Sequence, residues 1–66
     1  MKIFLNGQTL DMPGSISISQ LLEQQGYANR RVAVEVNRSI VPKSLHEQHL
    51  LNDGDKVEIV HALGGG

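Results

Sequence analysis

The sequence contains no cysteine, only two prolines and no long hydrophobic run. Without cysteine a disulfide framework is excluded, so packing alone must stabilise this small domain. A helix that crosses a membrane needs ~20 consecutive apolar residues, and no stretch approaches that length. Because no signal-peptide pattern opens the chain, we expect a soluble protein of the cytoplasm that has no membrane partner.

Positive charge is also scarce in this chain. Six Lys and Arg stand against seven Asp and Glu, which gives a formal net charge of -1 over 66 residues. Proteins that bind nucleic acid usually carry a basic patch or stripe, so nucleic acid is not an expected partner. The length is that of one small domain with no internal linker.

The first residues predict a β-hairpin. Apolar side chains alternate over residues 1–6, which is the period of a strand, and Asn6-Gly7 is typical of a tight hairpin turn. Residues 8–12 form the returning strand, which a Pro-Gly pair then ends.

A short helix is predicted next. Ser17 with Gln20 three residues on is a capping box, and it predicts a helix that starts at Ile18. The apolar residue before the cap can pack on Leu21 as a hydrophobic staple. Gly26 suits the left-handed position that closes a helix, so the helix has two to three turns.

Three further strands are predicted in the second half of the chain. Alternating valines over residues 31–36 make the clearest strand. Residues 40–41 form a strand too short to be central, which a proline stops, so we expect it at an edge. An Asn-Asp-Gly-Asp turn over residues 52–55 precedes the last strand, residues 56–61.

Residues 44–51 have a low helix propensity. Ser44 with Glu47 has the spacing of a second capping box, but the His and Gln residues that follow are not strong helix formers. We expect one irregular turn there.

Together these elements predict an α+β fold, a mixed sheet of four to five strands with one main helix packed across it. The simplest packing places the first and last strands side by side and parallel in the middle, which is the β-grasp layout. We expect the domain to span residues 1–63 and a glycine tail to span residues 64–66.

The tail is the unusual feature of the sequence. Gly64, Gly65 and Gly66 follow the last strand directly. Because glycine has no Cβ and loses much entropy on ordering, we expect a mobile tail that projects the Gly66 carboxylate about 10 Å from the fold. Such a tail is narrow enough to thread a partner's active-site channel. A frayed terminus or a linker stub is the alternative.

A partner surface is expected on the sheet face that the helix leaves uncovered. Phe4 and Val60 point away from the presumed core residues of their strands, and Leu63 is a further candidate for this surface. The alternative is an inverted register in which Phe4 lies in the core.

No catalytic group or metal site is predicted. Zinc needs three or four ligands, and the three histidines have neither cysteine nor suitably spaced acids around them, so we expect surface imidazoles. Serines that cap helices and aspartates that form turns are also weak candidates for a nucleophile or a carboxylate pair. The residues considered are His46, His49, His61, Ser17, Ser44, Asp53 and Asp55.

The whole chain resembles the ThiS family of ubiquitin-like sulfur carriers. The resemblance rests on motifs that occur in the family's order, with the Gly-Gly end that defines the family preceded here by an extra glycine. These motifs are Met1-Lys2-Ile3-Phe4-Leu5-Asn6-Gly7, Leu21-Leu22, Val32-Ala33-Val34-Glu35-Val36-Asn37, Ile40-Val41-Pro42-Lys43-Ser44, Gly54-Asp55-Lys56-Val57-Glu58-Ile59-Val60 and Gly64-Gly65-Gly66.

The resemblance implies a carrier in the biosynthesis of the thiazole moiety of thiamine, not an enzyme. A ThiF-type adenylyltransferase uses ATP and Mg to adenylate the terminal carboxylate, here that of Gly66. A persulfide from a cysteine desulfurase converts it to a thiocarboxylate, and a ThiG-type thiazole synthase accepts the sulfur. The resemblance implies no bound cofactor, and we expect a monomer.

Two other functions stay open at this point. The small subunit of molybdopterin synthase shares the Gly-Gly end, although the strand and Ile-Val-Pro matches favour thiamine. A β-grasp interaction module with an incidental tail is the alternative outside the carriers.

Overall fold

A computed structural model of the chain describes residues 1–61. Within these residues, one five-stranded sheet, one α-helix and one short 3-10 helix account for the regular structure. In chain order the elements are β1 (Lys2–Leu5), β2 (Gln8–Asp11), α1 (Ile18–Gln24), β3 (Val32–Val36), β4 (Ser39–Val41), the 3-10 helix (Lys43–Leu45) and β5 (Lys56–His61). The predicted order of elements is confirmed, with strand ends that differ by about one residue.

The sheet has the strand order β2-β1-β5-β3-β4. β1 and β5 are parallel and β5 is the middle strand, while all other neighbours are antiparallel. The predicted layout, with the first and last strands paired, is therefore confirmed. The short strand β4 lies at an edge, also as predicted.

Both hairpins turn through two residues with positive φ. Asn6 and Gly7 have φ of 49° and 83°, and Asn37 and Arg38 have φ of 52° and 73°. A two-residue loop with positive φ at both positions matches the twist of the flanking strands. Asn tolerates this region well, whereas Arg is uncommon there.

The capping box at the start of α1 is present. The Gln20 N–H donates to Ser17 Oγ at 3.1 Å, and the Ser17 N–H donates to Gln20 Oε1 at 2.9 Å. Helix α1 begins at Ile18, as predicted, and Gly26 after its end has φ of 82°. The local pattern therefore sets the bounds of this helix.

The core lies between α1 and one face of the sheet. Its members are apolar side chains from the covered face, from α1 and from the connecting loops, all nearly or fully inaccessible to solvent. They are Ile3, Met12, Ile18, Leu21, Val34, Val36, Val41, Leu51, Val57 and Ile59.

The second capping box, which the spacing of Ser44 and Glu47 suggested, does not form. The 3-10 helix starts after Pro42, and no side chain caps its first turn. Proline fixes its own φ, and the segment makes a single tight turn that leaves Ser44 inside the helix, not before it. The expected irregular turn in this region is confirmed.

The predicted turn before β5 is held by its two aspartates. Asp53 Oδ1 accepts from the Lys2 N–H at 2.7 Å, and Asp55 Oδ2 accepts from the Asn52 N–H at 2.8 Å. Gly54 between them has φ of 86°. Asp55 therefore binds the backbone of its own turn, as expected, whereas Asp53 joins the turn to β1, a contact that the sequence does not indicate.

Within residues 1–61, α1 is far too short to cross a membrane, and no other helix is long and apolar enough.

Candidate functional site

The candidate site consists of the uncovered sheet face and the end of β5. Leu63, Gly64, Gly65 and Gly66 lie outside the described residues, as does the predicted boundary between domain and tail. The structure therefore describes the sheet surface and the strand that precedes the predicted tail, and not the tail.

Phe4 and Val60 lie on the uncovered face, as predicted. In β1 Ile3 is fully buried while Phe4 is 36% exposed, and in β5 Ile59 is buried while Val60 is 51% exposed. Alternate residues of a strand point to opposite faces, so these values fix the register. The alternative that placed Phe4 in the core is wrong.

The open face continues across β3 and β4. Val60 is paired with Ala33, and Glu35 is paired with Ile40, which is 70% exposed. Ile40 is not among the residues that the sequence pattern predicts for the partner surface. The alternating valines of β3 face the core, so Glu35 faces the open side. A two-residue turn after β3 pairs Ile40 with Glu35 and therefore places Ile40 on the open side too. The register of this hairpin could have predicted the position of Ile40 from the sequence.

Two asparagines hold β5 at both sides. Asn6 Oδ1 accepts from the Ile59 N–H at 2.9 Å, and Asn37 Oδ1 accepts from the Lys56 N–H at 3.0 Å. Asn37 Nδ2 also donates to Asp55 Oδ1 at 3.0 Å. The sequence predicts a turn role for Asn6 and does not indicate either contact, because the strand that the two side chains bind lies much further along the chain. Their bonds fix the strand that leads to the tail.

His46 is not a surface imidazole. Only 5% of it is exposed, and its Nε2 lies 3.0 Å from the Val41 carbonyl oxygen. Since a carbonyl can only accept, Nε2 carries the hydrogen and donates it. His49 is half-buried and His61 is exposed. The expectation of surface imidazoles is therefore wrong for His46, because a contact with β4 buries it.

The described residues hold no group of three or more His, Cys, Asp or Glu side chains that could bind a metal ion. Ser17 is occupied as the N-cap of α1, with its hydroxyl oxygen accepting a backbone N–H.

A groove of about 590 Å³ lies on the helix side of the sheet. It is lined by the second half of α1, by the loop before β3 and by the 3-10 helix, with Arg30, Lys43, Glu23 and Glu47 among its charged residues. The ring of Tyr27 in this groove packs against the ring of His61 in a tilted arrangement, with centroids 6.2 Å apart and planes at 56°. The groove thus ends beside the last residue of β5.

The fold has close counterparts among solved structures. The crystal structure of the thiamine biosynthesis protein ThiS from Geobacter metallireducens superimposes with a TM-score of 0.87, at 29% identity and with full coverage of both chains. A solution structure of a thiamine biosynthesis protein from the same organism gives 0.78 at 30% identity, covering all of this chain and 88% of that one. The fold is therefore a ubiquitin-like β-grasp.

Relatives with established names cover the full chain. The sulfur carrier protein ThiS of Escherichia coli is 30% identical over all of both chains. A thiazole synthase of Paramagnetospirillum magneticum is 47% identical over the whole chain, which spans 20% of that protein's length. A thiazole synthase of Magnetococcus marinus is 36% identical, also over 20% of its length.

The model of the ThiS family matches residues 3–66. The chain belongs to the ThiS family.

Proposed function

We propose that the protein is a sulfur carrier in the biosynthesis of the thiazole moiety of thiamine. The observation that carries the proposal is the family match, which runs through the domain and the terminal glycines. The full-length similarity to a sulfur carrier protein supports it. We also propose that the carrier works in the cytoplasm as a monomer.

The chemistry takes place at Gly66, which must carry the C-terminal carboxylate for this function. A carboxylate is a poor electrophile, so it is first activated. Its oxygen attacks the α-phosphorus of ATP in a ThiF-type adenylyltransferase, pyrophosphate leaves with Mg, and an acyl adenylate forms. Covalent activation divides a difficult substitution into two easier steps.

Sulfur then replaces the adenylate. A persulfide from a cysteine desulfurase attacks the acyl carbon and AMP leaves, which gives an acyl disulfide. A thiol reduces its S–S bond and is itself oxidised to a disulfide, leaving a thiocarboxylate on Gly66. Glycine leaves the acyl carbon unhindered, and Gly64 and Gly65 allow the tail to thread a narrow channel.

The thiocarboxylate is delivered to a ThiG-type thiazole synthase. Two proteins that carry that name contain a segment similar to the whole chain, which supports an association between the two activities. Phe4 and Val60, with Leu63, form the partner-binding surface in this proposal. Exposed apolar side chains gathered on one face are typical of interaction sites.

Intact mass spectrometry tests the central step. The purified chain is incubated with ATP, Mg, the activating enzyme and a persulfide source, beside a variant that lacks Gly66. We expect the full-length chain alone to gain the mass that corresponds to one oxygen replaced by one sulfur. The starting mass also checks that Gly66 is the terminal residue.

A Gln24→Ala variant is the matched control, because it changes an exposed position at the end of α1 and keeps the whole tail, so it should gain the same mass as the native chain. An unchanged mass in the full-length chain, with an activating enzyme that works on another carrier, would contradict the proposal. The interaction module with an incidental tail would then be the better explanation.

A further inference from the structure

Two glutamates lie directly opposite each other on the open sheet face. Glu35 of β3 is paired with Glu58 of β5 in the antiparallel register. In such a pair the Cβ atoms are about 4.5–5.5 Å apart on the same face, and like charges at this position are destabilising. The register therefore places two glutamates side by side near the centre of the sheet.

The strand register gives the neighbours of the pair. The other cross-strand neighbour of Glu35 is the apolar Ile40, and Lys56 lies two residues from Glu58 along β5, opposite Phe4. The carboxylates whose oxygens accept hydrogen bonds within residues 1–61 are those of Asp53 and Asp55.

The pair also lies inside the apolar part of the open face. Ile40 lies beside Glu35, Val60 lies two residues from Glu58 along β5, and Phe4 lies opposite Lys56 on the next strand. Each of these three apolar side chains is at least one-third exposed. Val60 follows Glu58 on the same face of β5, toward the end of the strand. Any protein that covers these apolar side chains also covers the two carboxylates, and burial of unpaired charge is costly.

We propose that Glu35 and Glu58 together bind an arginine or lysine side chain on the thiazole synthase. The proposal rests on the carrier function above. The charge of the pair selects a cationic partner, and a guanidinium has enough donors to contact two carboxylates at once. The synthase is the chosen partner because two proteins of that name contain a counterpart of this entire chain.

Binding of the carrier to thiazole synthase, measured at low and at physiological salt, tests this proposal. The variant is Glu35→Gln with Glu58→Gln, and the control is Glu23→Gln with Glu47→Gln, two exposed glutamates at the groove on the helix side. Each double variant removes two negative charges and takes the formal net charge from -1 to +1.

We expect the open-face variant to raise the Kd by about tenfold at low salt and to reduce its salt dependence. At physiological salt the control should stay within about twofold, because charges more than the ~8 Å Debye length away from a contact are largely screened. The open-face variant should unfold at an equal or higher temperature than the native chain, since it removes a repulsion.

Equal affinity and equal salt dependence for the native chain and the open-face variant would overturn this proposal alone. An equal loss in both double variants would also overturn it, because net charge would then be the cause. If the native chain does not bind the synthase at all, both this proposal and the delivery step of the carrier function fail.

Discussion

The two faces of the sheet are made by the same five strands, but the covered face is mostly apolar whereas the open face mixes apolar side chains with charged ones such as Glu35 and Glu58. On the covered face Ile3 and Val34 are fully buried, whereas on the open face Ile40 and Val60 are 70% and 51% exposed. Both faces carry β-branched apolar side chains, so strand-forming tendency does not distinguish them. The two faces differ in exposure because the helix covers only one of them.

This comparison separates stability from recognition. Burial of the covered face supplies most of the hydrophobic stabilisation, which is roughly proportional to the apolar area removed from water. The open face contributes little to the isolated fold and leaves apolar area available to a partner. Substitutions on the two faces should therefore have different effects.

The largest effect is expected from Leu21→Ala on the covered side. Leu21 is fully buried, and the substitution should lower the free energy of unfolding by about 3 kcal/mol. A domain of this size rarely has more than about 3–5 kcal/mol, so the variant should keep about 0–2 kcal/mol and be partly unfolded even without urea. Urea unfolding followed by far-UV circular dichroism measures this. The control Ile40→Ala on the open face should change it by less than about 0.5 kcal/mol.

A smaller effect is expected from Ser17→Ala, which loosens the helix without changing the apolar area of the core. Loss of the hydroxyl that accepts the Gln20 N–H should lower the free energy of unfolding by about 1 kcal/mol. Ser17→Thr retains a hydroxyl and should restore most of the loss. Equal stability of the Ala and Thr variants in urea unfolding would show that the cap contributes nothing.

The smallest effect on stability is expected from Val60→Thr on the open face. The side chains are nearly equal in size and Val60 is half exposed, so the free energy of unfolding should change by less than about 0.5 kcal/mol. Under the proposed function, affinity for the partner should fall several-fold, as a binding titration would show. Leu50→Thr, an exposed apolar residue outside the sheet, is the matched control. An equal loss of affinity in both variants would show that the open face of the sheet is no more important for binding than other exposed apolar residues.

The sequence predicts this fold well wherever the signals are local. The capping box of Ser17 and Gln20 needs contacts only three residues apart, and the Asn6-Gly7 turn needs only its own backbone. The period of two in β1 and β5 also places Phe4 and Val60 correctly.

Signals that depend on distant contacts are missed. His46 is buried because its ring meets the carbonyl of Val41 on another element, and the sequence around it does not indicate this. Asn6 binds the backbone of Ile59, 53 residues away. The opposition of the two glutamates likewise appears only once β3 and β5 are paired in register.

The parallel pairing of β1 with β5 has a consequence for synthesis on the ribosome. The two strands are about 50 residues apart in the chain, and β5 lies between β1 and β3 in the sheet. At roughly 5–20 residues per second, β1 waits several seconds for its partner. Until then the strands can pair only within the two hairpins, each with an edge that β5 will later occupy. The domain therefore completes its sheet only after the last strand has left the exit tunnel, and nascent chains depend on rapid closure at that moment.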